Sequence, residues 1–78
     1  METNIELTAS ARLFAERAGL LDRLEALRLG EWVAKGDLVE LTGAGKPETF
    51  AVLARHIRAG KDGRCTLVLL LDHPIRSA

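Results

Sequence analysis

The sequence predicts an α+β domain: a small curled antiparallel sheet in the order β-α-β-β-β, with one amphipathic helix laid against it. Three observations carry that expectation. Apolar and polar residues alternate from Ile5 to Leu13, leucines recur at helical spacing from Leu20 to Leu27, and the run from Cys65 to Leu71 is almost wholly apolar. At 78 residues the chain is a single domain spanning 1–78.

The first element rests on parity. Ile5, Leu7, Ala9, Ala11 and Leu13 fall on one side, and Glu6, Thr8, Ser10 and Arg12 on the other, which is the period of a half-buried strand. The competing reading is a helix capped by Thr8 or Ser10 that merges with the leucine-rich segment after it; the alanines favour it, and the length of the alternation favours the strand. The helix comes next. Leu20, Leu21, Leu24 and Leu27, extended by Ala18, form one apolar stripe, with Glu16, Arg17, Asp22, Arg23, Glu25 and Arg28 around it. Gly30 is its stop signal, Arg28 suits the negative end of its dipole, and Gly19 is a weak point and a candidate start.

Gly36-Asp37 is a turn that feeds a strand with Val39 and Leu41 on one face and Leu38 and Glu40 on the other. Thr42 to Pro47 is a flexible connector. Residues 48–58 support two readings. As a helix over 47–59 they have Pro47 at the first position, Phe50, Leu53, Ala54 and Ile57 on one face, and Gly60 as a stop. As a strand they supply a neighbour for the segment after the Lys61-Asp62-Gly63-Arg64 turn. That segment, Cys65–Leu71, is apolar enough to be buried on both faces and needs a strand on each side, so the strand is the expectation. Pro74 ends it and Ile75–Ala78 is a tail. Lys35-Gly36-Asp37-Leu38-Val39-Glu40-Leu41 resembles the run into a strand of small SH3-like barrels, which extends the curled-sheet expectation to such a barrel.

Composition narrows the function. Lys plus Arg and Asp plus Glu are 11 each, hydrophobic residues are 47%, and the sequence pI is about 6.7. The chain is too apolar to be disordered for want of a core, and too balanced to be held on nucleic acid or anionic lipid by bulk charge. A domain this short buries only about 60% of its unfolded surface, so an additional staple is expected. Cys65 is the only cysteine, which excludes a disulfide within the chain; with His56 and His73 it makes only three soft or borderline ligands, too few for a tetrahedral zinc site. Association with another chain, most simply a homodimer, is the staple that remains. The lone cysteine and the absence of a basic n-region and an apolar h-region point to the cytoplasm, and brevity and composition suggest a bacterial accessory protein. The longest apolar run, Leu67 to Leu71, is far too short to span a bilayer, so no membrane partner is expected.

No constellation points to catalysis or a cofactor. Gly43-Ala44-Gly45-Lys46 is shorter than a phosphate-binding loop, and Pro47 stands where such a loop needs a hydroxyl. His56 and His73 have no recognisable nucleophile partner, and Cys65 reads as a small hydrophobe. Asp22 and Glu25 read as a solvated helix face. Charge is unevenly spread: residues 1–45 carry five basic and eight acidic side chains, a net of −3, and residues 46–78 carry six and three, a net of +3. Arg55, His56, Arg58, Lys61 and Arg64 gather about one hairpin. With Trp32, expected as a core cornerstone between helix and sheet or else an interface anchor, they are the candidate interaction surface. The expected function is a protein-binding module whose partner is another protein or a second copy. The alternative is a nucleic-acid-binding module using the same basic hairpin, although it lacks interleaved aromatics for base stacking.

Overall fold

Thr8 is where the N-terminal alternation stops meaning strand. In the computed structural model, which describes residues 2–43 and 45–75, its hydroxyl oxygen accepts the N–H of Ala11 at 3.2 Å. That is the geometry of a helix N-cap. Strand β1 (Glu2–Leu7) precedes it, and helix α1 (Ala9–Ala18) comes after it. The expected strand over 5–13 is therefore corrected to end at Leu7. Ala9, Ala11 and Leu13 kept the parity only by coincidence. On the helix Ala11 and Ala15 are the buried pair, one turn apart, while Leu13 is exposed.

Gly19 closes α1 rather than opening a helix. It adopts φ 71°, a left-handed conformation that costs glycine little, and the Leu20 N–H returns to the Ala15 carbonyl at 2.8 Å. The leucine stripe then makes only a short helix, α2 (Leu21–Glu25), with Leu24 buried. One helix running to Gly30 is thus corrected to two short helices. Leu27 and Leu29 still pack against the core, but from a non-helical segment.

The remaining strands are β2 (Leu38–Leu41), β3 (Glu48–Ala59) and β4 (Cys65–Asp72). Residues 47–59 are thus not helical: the alternating pairing with β4 outweighs the local helix signals. The sheet order is β1-β4-β3-β2, and the sheet curls into a half-barrel. The α+β class with a curled sheet is what the molecule has. The sheet is mixed, however, not antiparallel: β3 runs antiparallel to β2 and β4, but β1 runs parallel to β4, Ile5 beside Leu69. The two helices carry the chain from β1 to β2 at the opposite edge of the sheet, and β2 and β3 complete the long connection that the parallel pair requires. β1 and β2 are the open edges of the described sheet.

β4 is central, and both its faces are covered. Leu67, Leu69 and Leu71 face Ala11, Ala15, Leu24, Val33, Leu41, Phe50 and Val52 in one core. Val68, of opposite parity, is also fully buried. The register explains its cover: Arg58 stands beside Thr66 and Glu6 beside Leu70, so the Arg58–Glu6 ion pair (3.3 Å) crosses β4 over Val68.

β3 changes character at a bulge. Val52 pairs with Leu71 and Ala54 with Leu70, leaving Leu53 as the extra residue. Before it Phe50 and Val52 are buried; beyond it the strand is largely exposed and projects with the start of β4 as a hairpin arm. The molecule measures 42 × 29 × 22 Å with a radius of gyration of 12.9 Å, against about 11.5 Å for a compact chain of this length.

Candidate functional site

The loop from Ala26 to Asp37 carries the most exposed aromatic of the chain. Trp32 is 76% accessible, so the core role expected for it is corrected: Val33, its neighbour, takes the buried place at 2%. The indole is nonetheless positioned. It lies so close over Gly30 that a methyl group there would collide with its Nε1. The loop beneath is tied to the sheet by Arg55, whose Nε donates to the Val33 carbonyl at 3.0 Å and whose guanidinium donates to the Glu31 carbonyl at 2.9 Å. Asp37 closes the turn by accepting the Ala34 N–H at 2.8 Å.

Two depressions flank Trp32. One, of about 330 Å³, lies among Leu29, Val33, Val39 and Leu38, the last 61% exposed. The other, of about 820 Å³, runs beside β1 from Glu2 to Glu6 and has Glu25, Leu27, Arg28 and Leu29 on its far wall. An apolar shelf and an edge-strand groove thus meet at one indole.

The basic hairpin does not form one free cationic patch. Arg55 is engaged by the loop carbonyls, Arg58 by Glu6, and Arg64 by Asp62 at 3.4 Å. His56 and Lys61 are exposed on the same arm. The basic hairpin and Trp32, expected as parts of one surface, are linked through Arg55, which starts on the arm and bonds the backbone carbonyls on either side of Trp32. Sequence reasoning missed the partners. No local pattern marks an arginine that bonds carbonyls 22 and 24 positions earlier in the chain.

The other candidates have structural surroundings. His73 stacks on Phe14, centroids 3.8 Å apart at 13°, and is tilted against Phe50 at 5.0 Å, with Nε2 3.6 Å from the Glu48 carboxylate. Cys65 is exposed, not in the core, with its thiol 3.7 Å from the Gly63 carbonyl. The buried Asp72 accepts the Thr8 hydroxyl at 2.7 Å and the Ser10 hydroxyl at 3.4 Å, placing a carboxylate at the positive end of α1. The glycine connector holds Gly43 and Gly45 at positive φ; Ala44 between them, and Arg76–Ala78 of the expected tail, lie outside the described residues. Among the described residues no three His, Cys, Asp or Glu side chains group as metal ligands, and no helix is long and apolar enough to cross a membrane.

No protein-family model, curated protein or solved structure matches this chain.

Proposed function

We propose that this chain is a non-catalytic protein-binding module of the cytoplasm that docks a partner through the surface around Trp32. The observation that carries the reading is the placement of that indole: three-quarters exposed, seated on Gly30, above a loop held by Arg55, and bordered by exposed Leu38. Large aromatics held in place beside apolar depressions are the usual anchors of interfaces, since they bury much area with little rotamer freedom lost. The exposed lone Cys65 supports a reducing compartment, where it stays a thiol. A closed SH3-like barrel is the finer fold reading; the strand entry at Lys35–Leu41 supports it, and a strand added beside β1 would continue the curl.

A photo-crosslinking side chain replacing Trp32 tests the reading in living cells, with the same group at Glu16, on the exposed face of α1, as control. Protein adducts at position 32 and not at position 16 are expected. Adducts to nucleic acid at the arm (position 61) with no protein adduct at 32 would overturn it in favour of nucleic-acid binding.

A further inference from the structure

We infer that the partner is a second copy of the chain, joined head to tail: the projecting edge of β3 of one copy pairs with the free edge of β1 of the next. The inference rests on the protein-binding reading and adds the partner and the two surfaces.

Backbone phase shows which groups each edge offers. The Gly60 N–H bonds the Arg64 carbonyl at 2.8 Å, continuing the β3–β4 register by one pair. By alternation Arg58 and His56 also turn their backbone groups to β4, and Ile57 and Ala59 turn theirs away. β2 covers only Glu48–Ala51 on that side, and Val52 is met by Gly36 and Asp37. The outward groups of Ile57 and Ala59 therefore face no strand among the described residues. On β1, the Thr8 N–H bonds the Leu71 carbonyl at 3.0 Å. By the same alternation Glu6, Asn4 and Glu2 point toward β4, and Thr3 and Ile5 turn outward, into the 820 Å³ groove that Trp32 borders.

Charge selects which edges join. β1 carries Glu2 and Glu6 and no base; Leu53 to Lys61 carries Arg55, His56, Arg58 and Lys61 and no acid. The far wall of the groove adds one charge of each sign, Glu25 and Arg28, and leaves the balance acidic. An antiparallel pairing with Ile5 opposite Ile57 and Thr3 opposite Ala59 matches outward groups to outward groups. It places Glu6 opposite His56, and Arg58 opposite Asn4, diagonal to both glutamates. It also covers Ile57, 48% exposed in the single chain. Symmetric pairings lose this complementarity. β1 against its own copy brings two acidic edges together, with Glu2 opposite Glu6 when Thr3 meets Ile5; the arm against its own copy brings two basic edges together, with Arg58 opposite Arg58 when Ile57 meets Ala59. Like charges directly opposite oppose pairing. A contact between two different surfaces does not close on itself, so assembly is open-ended.

Sedimentation across a wide range of protein concentration reads this directly. The weight-average mass should climb past twice the chain mass with no plateau, and fall as salt is raised. Thr3→Pro and Ile57→Pro each remove one outward N–H while leaving the ladder to β4 intact. Each alone should be monomeric, and an equimolar mixture should stop at twice the chain mass, because one open surface of each kind remains. Should either proline variant unfold, charge replaces it: Glu2→Lys and Lys61→Glu, which each lessen the opposition of charge between the two edges, should each weaken association several-fold, and unchanged association in both would overturn the inference. A wild-type chain that stays monomeric overturns the inference alone, since the crosslink at position 32 can still find another protein. A discrete dimer that survives Ile57→Pro also overturns it, in favour of a symmetric interface, and leaves the protein-binding reading standing.

Discussion

β3 is one strand with two environments. Its first part, Glu48–Val52, pairs with β2 through Ala51, meets the end of β4 at Ala51 and Val52, and contributes Phe50 and Val52 to the core. Its second part, Ala54–Ala59, has β4 on one side only and is exposed almost throughout. Of the first part only Ala51 and Val52 pair with β4, whereas all of Ala54–Ala59 does; the parts differ further in what covers the other edge and the faces. The contrast teaches that β3 gives the core only its inner half, while β4 gives the core residues from Leu67 to Leu71. The outer half of β3 buries little of its own surface; apart from Arg55, which holds the loop, and Arg58, which pairs with Glu6, its exposed residues are free to serve binding.

The sharpest way to break that comparison is to place the same residue in both halves. Leu69→Asp puts a carboxylate in a fully buried position of the central strand. Its register neighbour Arg55 is already engaged by the carbonyls of Val33 and Glu31, so the charge is poorly matched. The cost is expected to be several kcal/mol, comparable with the whole stability of a small domain, and circular dichroism should show an unfolded chain at room temperature. Ile57→Asp, in the arm, should move stability by only about 0.5 kcal/mol, as exposed substitutions do. A folded Leu69→Asp, or an unfolded Ile57→Asp, would erase the distinction between the halves.

How far the sequence reveals this division runs along the same line. Cys65–Leu71 is legible as a central strand because period and composition agree, and burial on both faces bears that out from Leu67 to Leu71, though not at Cys65. The strand at 48–58 is legible only through its neighbours: taken alone, Pro47, Glu48 and Gly60 describe a helix. The N-terminal segment misleads because a strand and a helix succeed one another with a single residue between them, and the alanines of α1 continue the parity of β1. The parallel pairing of β1 with β4 has no local signal, since two helices, β2 and β3 intervene between them, and the helices separated by Gly19 look like one helix with a flaw. Trp32 misleads for a simpler reason. Hydrophobicity says what a residue would gain by burial, and Val33 next to it fills the one inward-facing place.

A smaller effect probes how the inner half is anchored. Thr8 both caps α1 and donates to buried Asp72 at the end of β4, so it joins the helix to the central strand. Thr8→Ala should cost about 1–2 kcal/mol, the loss of an N-cap together with a bond to a carboxylate. Thr8→Ser should recover most of it. Denaturant melts of the two variants check this; equal loss in both would mean that the threonine methyl, not its hydroxyl, holds the junction.

The smallest effect lies at the boundary between the halves. Arg58 and Glu6 span β4 over Val68, yet both side chains are about half exposed, so solvent screens the pair. Arg58→Ala should lower stability by under about 1 kcal/mol and make the remainder less dependent on salt. Its local consequence should exceed its global one. Val68 lies beneath the pair, between His56 and Asn4 in the register, so amide exchange around Thr66–Val68 should quicken while exchange at Leu69–Leu71 stays slow. If exchange quickened equally along all of β4, the arm would be part of the same cooperative unit as the core, and the two halves of β3 would differ only in exposure.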